Sequence, residues 1–188
     1  PQPGAEVENT IFVYMPWSGV SDTDSGLYND FLTNIEAIKS AIVNQGGLGN
    51  KRLMIFISTK VNKGALINVQ YKNGSCVDDT VAIYNNTLAG LKLNSAEWIT
   101  TLLKRVKQEA PAKHYSMIVG CHGMGWIPAK PSTRINRPVA SLFGFNQNDG
   151  KAGPPTRWLG GNAYQTNISD FDKGIEDSGI GKFQYILF

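Results

Sequence analysis

Tyr115-Ser116-Met117-Ile118-Val119-Gly120-Cys121 runs without a break into His122-Gly123-Met124-Gly125-Trp126. The first half is a short apolar, β-branched run, which reads as a strand buried on both faces. The second half sets a histidine among glycines just where that strand stops. In open α/β sheets, ligands bind beyond the carboxyl ends of the strands, so this junction is where a site belongs.

Two similar runs lie upstream. Ile11-Phe12-Val13-Tyr14-Met15 is stopped by Pro16 and followed by Trp17-Ser18-Gly19, and Leu53-Met54-Ile55-Phe56-Ile57-Ser58 is again continuous. Between them Phe31, Ile35, Ile38 and Ile42 recur at steps of four, three and four. That spacing predicts a helix of about five turns, ended by Gly46-Gly47. Asn94-Ser95 offers a cap for a second helix carrying Trp98, Leu102 and Val106, closed by Pro111. Residues 168–178 read as a third, short helix. Residues 183–188, Phe-Gln-Tyr-Ile-Leu-Phe, read as a last strand, expected in the middle of the sheet beside residues 115–121.

Residues 65–72 alternate apolar and polar, the mark of a half-exposed strand. With residues 81–84 they form the arms of a hairpin across the Asn73-Gly74 turn. Residues 127–162 hold Pro128, Pro131, Pro138, Pro154 and Pro155 and no periodic pattern. They read as one long loop, of the kind that is usually functional or cleaved. Strand–helix–strand with continuous apolar strands predicts an α/β fold whose mostly parallel sheet is covered on both faces.

Composition narrows the function. The chain has 188 residues, 41% of them apolar and 18% charged, with 20 glycines and 9 prolines. This is globular composition with enough length for a core. No stretch approaches the ~18 apolar residues of a transmembrane helix. The net charge of +3 is scattered, which argues against a nucleic-acid surface. Cys76, Cys121, His114 and His122 have no metal-ligand spacing, so no metal site is expected. The polar opening of residues 1–10 (Pro-Gln-Pro-Gly at its start) has the composition of a flexible tether, compatible with export after a targeting segment is removed.

His122 is the residue whose chemistry stands out. An imidazole titrates near neutrality and suits acid/base work, although a histidine here could equally satisfy a turn. Gly123 and Gly125 either open the backbone N–H groups to a ligand or only permit a tight turn. Gly120-x-x-Gly123-x-Gly125 is not a dinucleotide fingerprint, and no acidic residue stands at a ribose position. Cys121 adjoins His122, but neighbours on a strand point to opposite faces, so its thiol is expected in the core. Cys76 has nothing nearby to lower its pKa. The residues alone supply a base without a nucleophile.

Residues 11–15, the block from Met117 through His122-Gly123-Met124-Gly125-Trp126, and residues 182–188 together resemble the clostripain family of cysteine peptidases, in the caspase, legumain, gingipain and separase group. The resemblance implies a three-layer α/β/α sandwich of the caspase-like kind, incomplete here, with residues 11–188 as the N-terminal part of one peptidase domain. It makes His122 the catalytic histidine and the Gly123 N–H an oxyanion-hole donor. Trp17 and Ser18 would border the substrate pocket, where the family commonly has polar residues such as Asp or Asn. It also implies cleavage of peptide or protein substrates after Arg or Lys. Processing would fall in the proline-rich segment, near Lys130, Arg134, Arg137, Lys151 or Arg157. The resemblance leaves room for calcium as a cofactor and implies no other. The nucleophilic cysteine belongs to an Asp-x-Cys motif expected just after Phe188, on a C-terminal segment or heavy chain that would be this chain's partner. The alternative is a caspase-like module that binds peptides or scaffolds without catalysis.

Overall fold

The computed structural model describes residues 5–16, 27–60, 63–85, 94–124, 158–161 and 164–188. Its elements in chain order are β1 (Val7–Met15), α1 (Tyr28–Asn44), β2 (Lys51–Lys60), β3 (Lys63–Lys72), β4 (Ser75–Asn85), α2 (Ala96–Glu109), β5 (Ala112–Val119), β6 (His122–Met124), β7 (Trp158–Gly161), β8 (Tyr164–Asn167), α3 (Ile168–Ser178) and β9 (Phe183–Leu187).

Six strands form the main sheet in the order β4-β3-β2-β1-β5-β9. The pairs β1–β2, β1–β5 and β5–β9 are parallel. The hairpin β3–β4 adds two antiparallel pairings at one edge. Its turn is Asn73-Gly74, with φ of 50° and 81°, the paired left-handed conformation that suits a twisted hairpin.

Period-two alternation splits the core into two halves. Phe12, Tyr14, Met54, Phe56, Leu66, Met117 and Val119 face one way and pack with Trp98, Ile99, Leu102, Leu103 and Val106 of α2 and Phe171 of α3. Val13, Met15, Leu53, Ile55, Ile57 and Val69 face the other way and pack with Phe31, Ile35 and Ile42 of α1. The three layers of an α/β/α sandwich follow directly, and each such side chain contributes about 1.5–3 kcal/mol on burial.

The helices end as their sequences direct. Ser95 Oγ accepts the Trp98 N–H at 3.1 Å and starts α2. The Gly47 N–H closes on Ile42 O at 2.9 Å after α1, with Gly46 at φ 80°. This is a glycine-dependent wrap of the last turn.

Three expectations need correction. β1 begins at Val7, so residues 7–10, read as tether, are strand. Thr10 is fully buried and its hydroxyl donates to Ala110 O at 2.8 Å, so a polar side chain is satisfied inside the sheet. β5 stops at Val119, and His122–Met124 is a separate strand in a second sheet, β6-β7-β8. β7 lies within the stretch read as one loop. β9 pairs in parallel with β5, beside residues 115–121 as expected, and stands last in the sheet order among the described residues. With no strand beyond it there, Leu187 and Phe188 are 54% and 75% exposed.

Candidate active site

The site lies where the chain passes from the main sheet to the small one. Gly120 follows β5, and its N–H still donates to Tyr14 O of β1 at 2.9 Å. A Cβ at Gly120 would stand 3.3 Å from Met15 Cγ and 3.3 Å from Phe31 Cε1. The close approach of β1 and α1 therefore favours a residue without a side chain here. Cys121 is half-buried against the core half that α2 and α3 cover. This agrees with a thiol directed into the core.

β6 then begins. His122 pairs with Gly160, Gly123 with Leu159 and Met124 with Trp158 in antiparallel register. Leu159 pairs in turn with Thr166 of β8. Gly123, Leu159 and Thr166 thus form one cross-strand row, and both Leu159 and Thr166 are buried. Leu159 joins the core half under α2 and α3, so the row ties the small sheet to the main one. His122 stands one register position outside that row. β8 runs directly into α3, which packs on α2 through Gly174 against Ile99. The backbone carrying His122 and Gly123 is in this way braced from both sheets.

Beneath this junction sits Tyr14, stacked with Phe12 and Phe171 at centroid distances of 5.9 and 6.2 Å. Burial pushes its phenol far above the usual range, and the neighbouring Trp98 offsets this only in part. It stays neutral at any working pH. Its side chain was legible in the sequence only as core, because a tyrosine in an apolar run is what a buried strand looks like.

The two histidines are separated. His114 lies near the start of β5, 3.8 Å from Glu8, far along the strand from His122. Trp17 and Ser18 lie outside the described residues, as do Gly125, Trp126 and the processing candidates of the proline-rich segment. Among the described residues there is no group of three or more His, Cys, Asp or Glu that could hold a metal ion. No described helix is long and apolar enough to cross a membrane.

No protein-family model matches the chain, and no curated protein sequence matches it. Solved structures do. The secreted C11 cysteine protease iotapain from Bacteroides thetaiotaomicron shares 33% identity over 98% of this chain, with a TM-score of 0.74. The chain spans 46% of iotapain's length. A clostripain from the same species, in complex with the peptide inhibitor BTN-VLTK-AOMK, shares 35% identity. The match covers 68% of this chain and 100% of that one, with a TM-score of 0.58. A Bacteroides fragilis cysteine protease has the same fold at 23% identity, over 68% of this chain and 98% of its own, with a TM-score of 0.53. A third of the residues shared across the whole of a clostripain chain is more than a common fold requires, and this chain belongs to the C11, or clostripain, family of cysteine proteases.

Proposed function

We propose that this chain is the histidine-bearing part of a cysteine endopeptidase that cleaves after Lys or Arg. The observation that carries the reading is the placement of His122-Gly123 as a braced strand at the carboxyl ends of β1 and β5, in a chain of this family.

A cysteine thiolate on a segment beyond Phe188 attacks the scissile carbonyl carbon, and the carbonyl oxygen becomes an oxyanion. The Gly123 N–H donates to that oxygen; with no side chain at 123, the substrate backbone can come close. Protonated His122 gives its proton to the leaving amine, and the C–N bond breaks. Neutral His122 then takes a proton from water, which displaces the thiolate and releases the acid. Trp17 and Ser18, outside the described residues, are proposed as pocket residues on the family resemblance alone. No step is assigned to a cation. Specificity after Lys is supported by the inhibitor held by the clostripain relative, whose peptide ends in lysine. Export is supported by the secreted relative.

The test uses the full-length protein and fluorogenic peptides that differ only in the residue before the scissile bond. Faster cleavage after Lys and Arg than after Asp or Leu is expected. Equal or faster cleavage after Asp or Leu overturns the specificity. Failure to cleave any peptide, together with failure to be labelled by BTN-VLTK-AOMK, overturns the peptidase reading and leaves a peptide-binding module.

A further inference from the structure

Gly120 is a glycine whose backbone does not ask for one. Its φ lies outside the left-handed region that Gly46, Gly74 and Gly179 occupy. A glycine that needs no special φ still costs conformational entropy, and it commonly marks a place where other groups come close. At 120 they do. A Cβ there would meet Met15 Cγ and Phe31 Cε1, each at 3.3 Å, and Met15 Cε at 3.7 Å. Met15 and Phe31 are 3% and 4% exposed and pack in the core half that α1 covers.

A methyl group at 120 would force something to yield by a few tenths of an ångström. Met15 is the last residue of β1 and is still paired with Ile57 of β2. Phe31 lies in the first turn of α1, where its N–H donates to Leu27 O at 2.9 Å. Both are held by elements in the body of the fold. Gly120 stands one residue past the last β1–β5 pair, Tyr14 with Val119, and holds to the sheet through its N–H on Tyr14 O. The chain then leaves for the small sheet, which begins at His122 two residues on. Displacement at 120 is therefore taken up by the turn and passed to His122.

We propose that Gly120 is a positioning residue for His122. With no side chain at 120, the end of β1 and the first turn of α1 close on the chain two residues before the histidine, and that contact sets where His122 stands against the scissile bond. Proton transfer demands a heavy-atom reach of about 2.6–3.2 Å. A shift of a few tenths of an ångström is small for the fold and large for that reach. Gly120 acts only through His122, so the inference rests on His122 being the general acid/base.

The experiment uses the full-length protein, a lysyl peptide amide and thermal melts, and compares Gly120→Ala, Phe31→Leu, the double variant and His122→Ala. Leucine at 31 removes the ε carbon that meets 120 and gives the flexible Met15 side chain space to move. Gly120→Ala is expected to lower kcat about tenfold, to leave KM within about twofold, and to keep Tm within about 3 °C. In the double variant kcat is expected to return to within about threefold of that of Phe31→Leu, as coupled neighbours require. A merely structural role would neither separate kcat from Tm nor show this recovery. Parental kcat in Gly120→Ala while His122→Ala is inactive overturns the inference and leaves the role of His122 standing. So does a kcat loss that Phe31→Leu fails to relieve, or one accompanied by a larger fall in Tm. No turnover by the parental protein, or turnover retained by His122→Ala, overturns the underlying reading and the inference with it.

Discussion

A Cβ added at Gly174 would run into the Ile99 side chain and reach 3.0 Å from Ala96 O, because α3 crosses α2 with nothing between them. Alanine is the better helix former by about 1 kcal/mol, yet overpacking costs about 1–3 kcal/mol. Gly174→Ala is therefore expected to lower the urea midpoint; a higher midpoint would mean that α2 and α3 do not approach as described. The same reasoning at single residues explains what of the site could be read beforehand. His122 and Gly123 stand out because an ionisable residue and a glycine interrupt an apolar strand. The Tyr14 hydroxyl and the Trp98 indole N–H do not, because their rings satisfy the apolar pattern and the pattern says nothing about where an oxygen or nitrogen points. The Gly120–Tyr14 contact is equally invisible, since it is a main-chain hydrogen bond between strands about a hundred residues apart.

Elements differ in how clearly they are written. Among the described residues, α1 announces itself by its apolar stripe and the glycines after it, and α2 by stripe and cap. α1 carries Phe31, Ile35 and Ile42 inward, and α2 starts at its Ser95 cap. α3 spans Ile168–Ser178, the same residues that the pattern marks. β1, β2 and β5 are readable where side chains on both faces are apolar. They fade where the strand is polar, as at Glu8, Asn9 and Thr10. β4 is legible only over residues 81–84 because its earlier residues, Val77, Asp78, Asp79 and Thr80, sit on an exposed edge that imposes no apolar alternation. β6, β7 and β8 have three, four and four residues, too few for any period to register. The cap on α2 gives an element-scale prediction. Ser95→Ala removes the acceptor of the Trp98 N–H and should cost about 1 kcal/mol. In a chain of this size that is a fall in Tm of about 2–4 °C. An unchanged Tm would show that another group caps α2.

Among the described residues, the shifts resolved for groups that titrate at alkaline pH run in one direction. Burial raises the phenols of Tyr14, Tyr84 and Tyr115. Burial alone would lower the Lys39 ammonium, but its hydrogen bonds to Asp78 and Glu36 outweigh that and raise it. In each case the folded state holds its proton more tightly than the unfolded chain. Their stabilisation is complete below the unfolded pKa values near 10 and is lost as pH rises through the folded ones. Stability should be level from neutrality to about pH 9.5 and fall above about pH 10. A Tm that rises between pH 9.5 and 11 would contradict it. The proposed function draws on the assembly of layers. The parallel strands bring β1 and β5 to one end, and the small sheet, anchored through Leu159, presents His122-Gly123 there. That His122 performs the acid/base chemistry is the central claim, and His122→Ala in the full-length protein tests it most directly. Its turnover of a lysyl peptide amide should fall on the order of a hundredfold or more, with the parental circular dichroism spectrum and Tm retained; near-parental turnover by the folded variant would contradict the account.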